Sequence, residues 1–238
     1  MTRTFNMTFD NTKFVGTKSI KEIAKQSSRN FLFLSSILFL LASCGSNFST
    51  QDAESLFEQG VQASKQNKNT KAFQLFEESC AMNHATACFN VGVFYNTGRS
   101  VQMNISQAHQ FWEKSCKLGQ AKACVKVGYH YEEGISVKQN YAQALQWYTK
   151  GCDQGEGLSC VSIGILYDEG RGVPRSVQQA NHFFEKSCTN GDAGGCILLG
   201  LHYNYGLKRN SAVAKKYFGI ACDLGDQKGC DLYKEIKQ

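Results

Sequence analysis

One spacing governs this chain. Cys80, Cys116, Cys152 and Cys188 stand 36 residues apart, and Cys222 follows after 34. Cys88, Cys124, Cys160 and Cys196 keep the same interval, and Cys230 again follows after 34. Other columns share it: Gly92, Gly128, Gly164 and Gly200; Tyr95, Tyr131, Tyr167 and Tyr203; Gly98, Gly134, Gly170 and Gly206. Ala108, Ala144, Ala180 and Ala214 form a further column, and aromatic pairs recur at Phe111-Trp112, Trp147-Tyr148, Phe183-Phe184 and Tyr217-Phe218. A fixed period of this length marks a repeat array, in which each unit buries its apolar face only by stacking on its neighbours.

Each unit reads as two helices. The first, Ala121 to Glu133 in one unit, carries Cys124, Gly128 and Tyr131 at spacings of four and three, which places them on one face. A helix-interior glycine costs about 1 kcal/mol relative to alanine. Its recurrence therefore predicts a close approach of a neighbouring helix. Gly134 is expected to end this helix in a left-handed conformation. The second helix is predicted over Tyr141 to Asp153, with Ala144, Trp147 and Tyr148 as its buried stripe and Gly155 just beyond it. The single proline of the 238-residue chain, Pro174, agrees with an almost wholly helical fold. The fold class expected is all-α, an α/α solenoid or superhelix of hairpins stapled by disulfides.

The pattern Gly-x-x-Tyr-x-x-Gly, then Ala-x-x-aromatic-aromatic, then Gly resembles the Sel1-like repeat, a relative of the TPR hairpin. With paired cysteines eight apart it also resembles the Helicobacter cysteine-rich protein family. The resemblance runs from Ala53 to the C-terminus. It divides the chain into a TPR-like capping repeat at 53–84 and four Sel1-like repeats at 85–120, 121–156, 157–192 and 193–226. A C-terminal capping helix at 227–238 follows. The leading helix of the first repeat, around Leu56 and Phe57, is read as lacking both the cysteine and the glycine column.

The chain holds 11 cysteines. A cysteine late in one hairpin has two geometrically open partners. One lies eight residues on, across the turn to the next unit; the other lies 28 residues back, in its own hairpin. The second scheme orphans Cys80 and Cys230. The first pairs Cys80–Cys88, Cys116–Cys124, Cys152–Cys160, Cys188–Cys196 and Cys222–Cys230, and leaves only Cys44 over. No C-x-x-C redox motif and no Cys/His cluster with zinc spacing occurs, so neither metal nor cofactor is expected.

Cys44 has its own context. Lys18, Lys21, Lys25 and Arg29 precede an apolar run from Phe31 to Leu41, the length of a signal-peptide core and short for a membrane span. The run ends in Leu41-Ala42-Ser43-Cys44, which resembles a bacterial lipobox. That resemblance implies a signal peptide over 1–44, lipidation of Cys44 and a tether over 45–52. It also implies export across the inner membrane with a lipid anchor, the outer membrane being favoured by Gly45 after the cysteine. The competing reading is an ordinary secretory signal cleaved nearby, with Cys44 incidental. Residues 1–44 carry six basic and two acidic groups of the chain's 26 and 20, so the remainder bears 20 and 18, a net charge of +2 in place of +6. No basic stripe with interleaved aromatics remains to bind nucleic acid.

The leading functional expectation is a binding scaffold for a peptide, a protein or peptidoglycan fragments. Matching the TPR pattern, whose first helices line the concave face, gives twelve candidate groove positions. They are Phe89, Val93 and Asn96; Val125, Tyr129 and Glu132; Val161, Ile165 and Asp168; Ile197, Leu201 and Asn204. The alternative is penicillin binding with weak β-lactamase activity, which the resembled cysteine-rich family implies. A host-facing secreted role is the third. No lysine has a serine three residues before it, as a serine β-lactamase needs, and His84, His109, His130, His182 and His202 are scattered. No catalytic residue is therefore assigned.

Overall fold

The computed structural model describes residues 50–206 and 209–236. The expected signal peptide and Cys44 lie outside the described residues. Helix α1 covers 50–65. Ten more follow: α2 Asn69–Ala81, α3 Ala85–Thr97, α4 Ile105–Lys117, α5 Ala121–Glu133, α6 Tyr141–Asp153, α7 Gly157–Glu169, α8 Val177–Thr189, α9 Ala193–Tyr205, α10 Ser211–Asp223 and α11 Gln227–Glu235. Among the described residues there is no strand, and the chain is all-α. Helices α5 and α6 have the bounds the periodicity predicts. Consecutive helices pack as antiparallel hairpins, and first helices also touch one another, α5 with α7 and α7 with α9.

Local chemistry sets the helix ends. Asn104, Asn140, Ser176 and Asn210 precede the second helices, and each side-chain oxygen accepts a hydrogen bond from the backbone N–H three residues on. This satisfies one of the donors a helix start leaves orphaned. The same four residues donate their own N–H to the carbonyls of Tyr95, Tyr131, Tyr167 and Tyr203 at 2.9, 2.8, 2.8 and 2.7 Å, closing each loop. Gly98, Gly134 and Gly170 end the first helices with φ of 68°, 73° and 72°. Gly206 differs from the expectation for its column. Its backbone is extended, φ −76° and ψ 173°. The segment it opens, 206–210, is two residues shorter than 134–140.

The glycine column exists because an aromatic ring lies on it. A Cβ on Gly128 would stand 2.5 Å from the Tyr148 ring, and Gly92, Gly164 and Gly200 are covered in the same way by Trp112, Phe184 and Phe218. Gly60 is covered too, by Phe76 at 2.7 Å. The first unit therefore has the column, contrary to the expectation above. Its connecting loop, 66–68, is four residues shorter than 98–104, so a strict step of 36 back from Gly92 lands on Leu56.

Five disulfides join each second helix to the next first helix: Cys80–Cys88, Cys116–Cys124, Cys152–Cys160, Cys188–Cys196 and Cys222–Cys230. Their Cα atoms lie only 4.5 to 4.9 Å apart. The residues just before the cysteines must therefore be small as a pair. They are Ser79 with Ala87, Ser115 with Ala123, Gly151 with Ser159, Ser187 with Gly195, and Ala221 with Gly229. Ser79, Ser115 and Ser187 donate to the carbonyls of Ala53, Ala85 and Gly157 at 2.6, 2.8 and 2.9 Å. At the third junction the roles reverse, and a Cβ on Gly151 would collide with the Ser159 hydroxyl.

Candidate functional site

The twelve expected groove residues do not form one open strip. Phe89 and Val93 pack against the α4–α5 core, and Val125 packs against the α6–α7 core. Val161 and Ile197 are 7% and 6% exposed; Val161 clusters with Ala180, Phe184 and Leu199, and Ile197 with Cys188, Cys196 and Ala221. Asn204 is buried and Asn96 half-buried. Their apolar members are mostly contacts between units.

The exposed side of a first helix is a neighbouring stripe. In α5 it is Lys122, Lys126, Tyr129 and Glu133, all exposed. The same positions hold Thr86, Asn90, Val93 and Thr97 in α3; Leu158, Ser162, Ile165 and Glu169 in α7; and Gly194, Leu198, Leu201 and Tyr205 in α9. Only the column Val93, Tyr129, Ile165 and Leu201 is shared with the expected groove. The face changes character along the stack. It is largely polar on α3, charged and aromatic on α5, mixed on α7 and mostly apolar on α9. Tyr129, Leu158 and Tyr205 are 49%, 50% and 70% exposed, large apolar surfaces in contact with water.

The expected acidic line is largely engaged. Glu132 accepts a hydrogen bond from the Tyr148 hydroxyl at 2.6 Å and pairs with Arg171 at 2.7 Å. Arg171 also pairs with Glu169 at 2.6 Å. Asp168 lies 3.6 Å from Arg175 and 3.5 Å from His202. Burial, then the hydrogen bond to Glu132, pushes the Tyr148 phenol well above its ordinary range. Lys122, Lys126 and Glu133, by contrast, form no ion pair among the described residues, so the unpaired charge on the exposed side of α5 is positive by one.

Two histidines that look scattered in sequence meet in space. His109 Nδ1 on α4 lies 3.2 Å from His130 Nδ1 on α5, with the rings stacked at 5.2 Å. Both are buried. The separation of 21 residues recurs at His202 and Asn181, joined at 2.6 Å. Among the described residues no group of three or more His, Cys, Asp or Glu is placed to hold a metal.

Stacked helical hairpins joined unit to unit, with a continuous first-helix face, define an α/α solenoid repeat scaffold. The Sel1 repeat family matches residues 53–84, 85–120, 121–156, 158–192 and 193–226, and the chain belongs to it. Among solved structures it is similar to a Sel1 repeat protein from Oxalobacter formigenes, 24% identical, covering 75% of each chain at a TM-score of 0.68. It is also similar to c5321, a protective antigen of uropathogenic Escherichia coli strains, 18% identical over 78% of this chain and 40% of that one, TM-score 0.63. At these identities the likeness concerns the fold. A Helicobacter pylori protein named "Putative beta-lactamase HcpD" is 34% identical over 70 residues. That match covers 29% of this chain, and the chain spans under a quarter (23%) of that relative's length. Five disulfides between adjacent units are the mark of a chain that matures in an oxidising compartment outside the cytoplasm.

Proposed function

We propose that this chain is an extracytoplasmic, lipid-anchored scaffold that holds an extended segment of a partner protein, peptide or peptidoglycan stem along its first helices. The observation that carries this reading is the exposed stripe from Lys122 and Tyr129 to Leu158 and Tyr205. It offers unpaired cations at one end and apolar side chains at the other. Contiguous exposed apolar surface on a folded domain marks an interaction site. The ligand class this favours is an extended chain with a carboxylate near apolar groups. Anchoring rests on the lipobox-like Leu41 to Cys44 segment. No described helix is long and apolar enough to cross a membrane.

The test is capture by the oxidised full-length protein from an envelope extract and from digested peptidoglycan, compared with Leu158→Asp/Tyr205→Asp. Both sites are exposed, so the variant should keep its melting temperature and lose the captured partner. Equal capture by both proteins rejects this face as the site. Cys44→Ser should abolish incorporation of labelled fatty acid.

A second reading, β-lactam hydrolysis, is favoured only by the name of the Helicobacter relative. In this chain Ser79, Ser115, Ser159 and Ser187 are fully buried beside disulfides. Turnover of a chromogenic cephalosporin, or an acyl adduct by intact mass, would establish it; neither is expected.

A further inference from the structure

His109 and His130 occupy a column pair that forms the contact between each second helix and the first helix of the next unit. At the preceding junction Phe73 and Phe94 fill it, ring centroids 5.7 Å apart. At the following junction Leu145 and Leu166 fill it within one apolar cluster. At the α8–α9 junction, Asn181 and His202 form a hydrogen bond. Only between the second and third units are both members imidazoles, 5% and 4% exposed.

The surroundings are poor in charge. The edge of Trp112 meets His130 and the edge of Tyr131 meets His109. The Ser136 hydroxyl lies 3.5 Å from His130 Nδ1. Glu113 on α4 acts on His109 and Lys126 on α5 acts on His130, but neither ring has a carboxylate in ion-pair contact, unlike His202 with Asp168. The pair also sits at a telling place. His109 is in the first half of α4 and His130 in the last half of α5, while Cys116–Cys124 joins the opposite ends of the same two helices.

We propose that the junction between the second and third units is an acid-sensitive hinge, latched by the neutral His109–His130 pair and pivoting on the Cys116–Cys124 bond. One facing nitrogen carries a proton and donates it to the other. A first added proton leaves that hydrogen bond intact, because an imidazolium N–H still meets a bare nitrogen. A second puts two N–H groups face to face where the flanking junctions hold hydrocarbon, and the latch opens while the disulfide keeps the units joined. Burial lowers the pKa of both rings, that of His130 to about 4, with the neighbouring His109 and Lys126 adding to the effect. The sign follows. An opened pair with an ordinary pKa of about 6.5 binds more protons than the closed one. The closed junction is therefore fully favoured above that pH and loses stability as pH falls towards 4.

The test is hydrogen exchange of the full-length oxidised protein at pH 7 and pH 4, read as protection factors. Protection in the first half of α4 and the last half of α5 should fall by about tenfold or more, while the amides beside Cys116 and Cys124 and those of α7 and α8 hold. His109→Leu/His130→Leu, which copies the Leu145–Leu166 junction, should remove the fall. A uniform response along the chain, or the same fall in the variant, overturns the hinge. Should the variant not fold, imidazole titration of the unaltered protein decides. Two rings displaced below the ordinary range, with the loss of protection following them, support the hinge; rings titrating near 6.5 overturn it.

Discussion

The middle of the stack and its C-terminal end follow one plan under different constraints. In the middle, α7 buries Gly157, Ser159, Cys160, Val161, Ile163, Gly164 and Leu166, because it is covered from both sides. At the end, α11 buries only Gly229. Cys116, Cys124, Cys152 and Cys160 are all at most 1% exposed, whereas Cys222 and Cys230 are half-buried. The glycine column, obeyed from Gly60 to Gly200, holds Lys234 at the corresponding place in α11, where no described helix lays a ring. The difference shows that these columns are demands of the neighbour rather than of the helix. Where no described helix presses, the demand lapses.

The largest effect should come from the staples. Closing a loop of eight residues stabilises by about 2–3 kcal/mol on the chain-entropy model. Cys116→Ala/Cys124→Ala also leaves a cavity in a dry junction, so it should cost about 3–5 kcal/mol. Cys222→Ala/Cys230→Ala should cost no more than about 2 kcal/mol, since partial exposure lets water and side chains fill the gap. Urea unfolding of the two variants measures both. Partial reduction followed by alkylation and mass mapping should find Cys222–Cys230 opened first; simultaneous loss of all five bonds would erase the contrast between middle and end.

The second effect tests the ring on the glycine. Gly128→Ala would push a methyl into the Tyr148 ring, itself 2% exposed and held to Glu132. Overpacking of this kind costs about 1–3 kcal/mol. A Tm equal to that of the unaltered protein would mean the ring moves freely and the column has another cause.

What the sequence discloses here follows from what keeps a strict period. The cysteine columns, the Gly128 column and the left-handed Gly134 are each visible because their spacing is constant. Gly60 is hidden by a shortened loop, although the covered-glycine rule applies to it in full. The capping residues Asn104, Asn140, Ser176 and Asn210 repeat just as regularly, so attention to helix starts would have found them. The exposed stripe of the first helices lies close to the expected groove positions but does not coincide with them. Adjacent helix positions differ by about 100°, so Val125 packs into the α6–α7 core while Lys126 beside it is exposed. The His109–His130 contact leaves little periodic trace, because His109 is the one histidine in a column that otherwise holds Phe73, Leu145 and Asn181, although His130 shares its column with His202.

Third in size is Tyr148→Phe, which removes one charge-assisted hydrogen bond and leaves Glu132 with Arg171. About 1–2 kcal/mol is expected, since a hydrogen bond to a charged acceptor is worth about that much. A polar tyrosine–carboxylate contact nearer the C-terminal end, Tyr217 with Glu185 at 3.0 Å, is one where burial and that carboxylate push the phenol up to about 12. It is exposed, so Tyr217→Phe should cost less than about 1 kcal/mol. Equal losses at the two tyrosines would show that burial does not distinguish these regions.

The smallest effect should also have the opposite sign. Gly219 lies inside α10 and is not in the covered column; a Cβ there would meet only the Tyr233 ring, at an ordinary 3.4 Å. Nothing in the packing requires a glycine, and the helix interior favours alanine by about 1 kcal/mol. Gly219→Ala should therefore raise stability by about 0.5–1 kcal/mol, while the same substitution at Gly128 lowers it. Both sites are mid-helix glycines with the same intrinsic propensity penalty. Their difference, read from two urea curves, isolates what the neighbouring ring demands from what the helix alone prefers. A loss at Gly219 comparable with that at Gly128 would show that the end of the stack is packed as tightly as its middle.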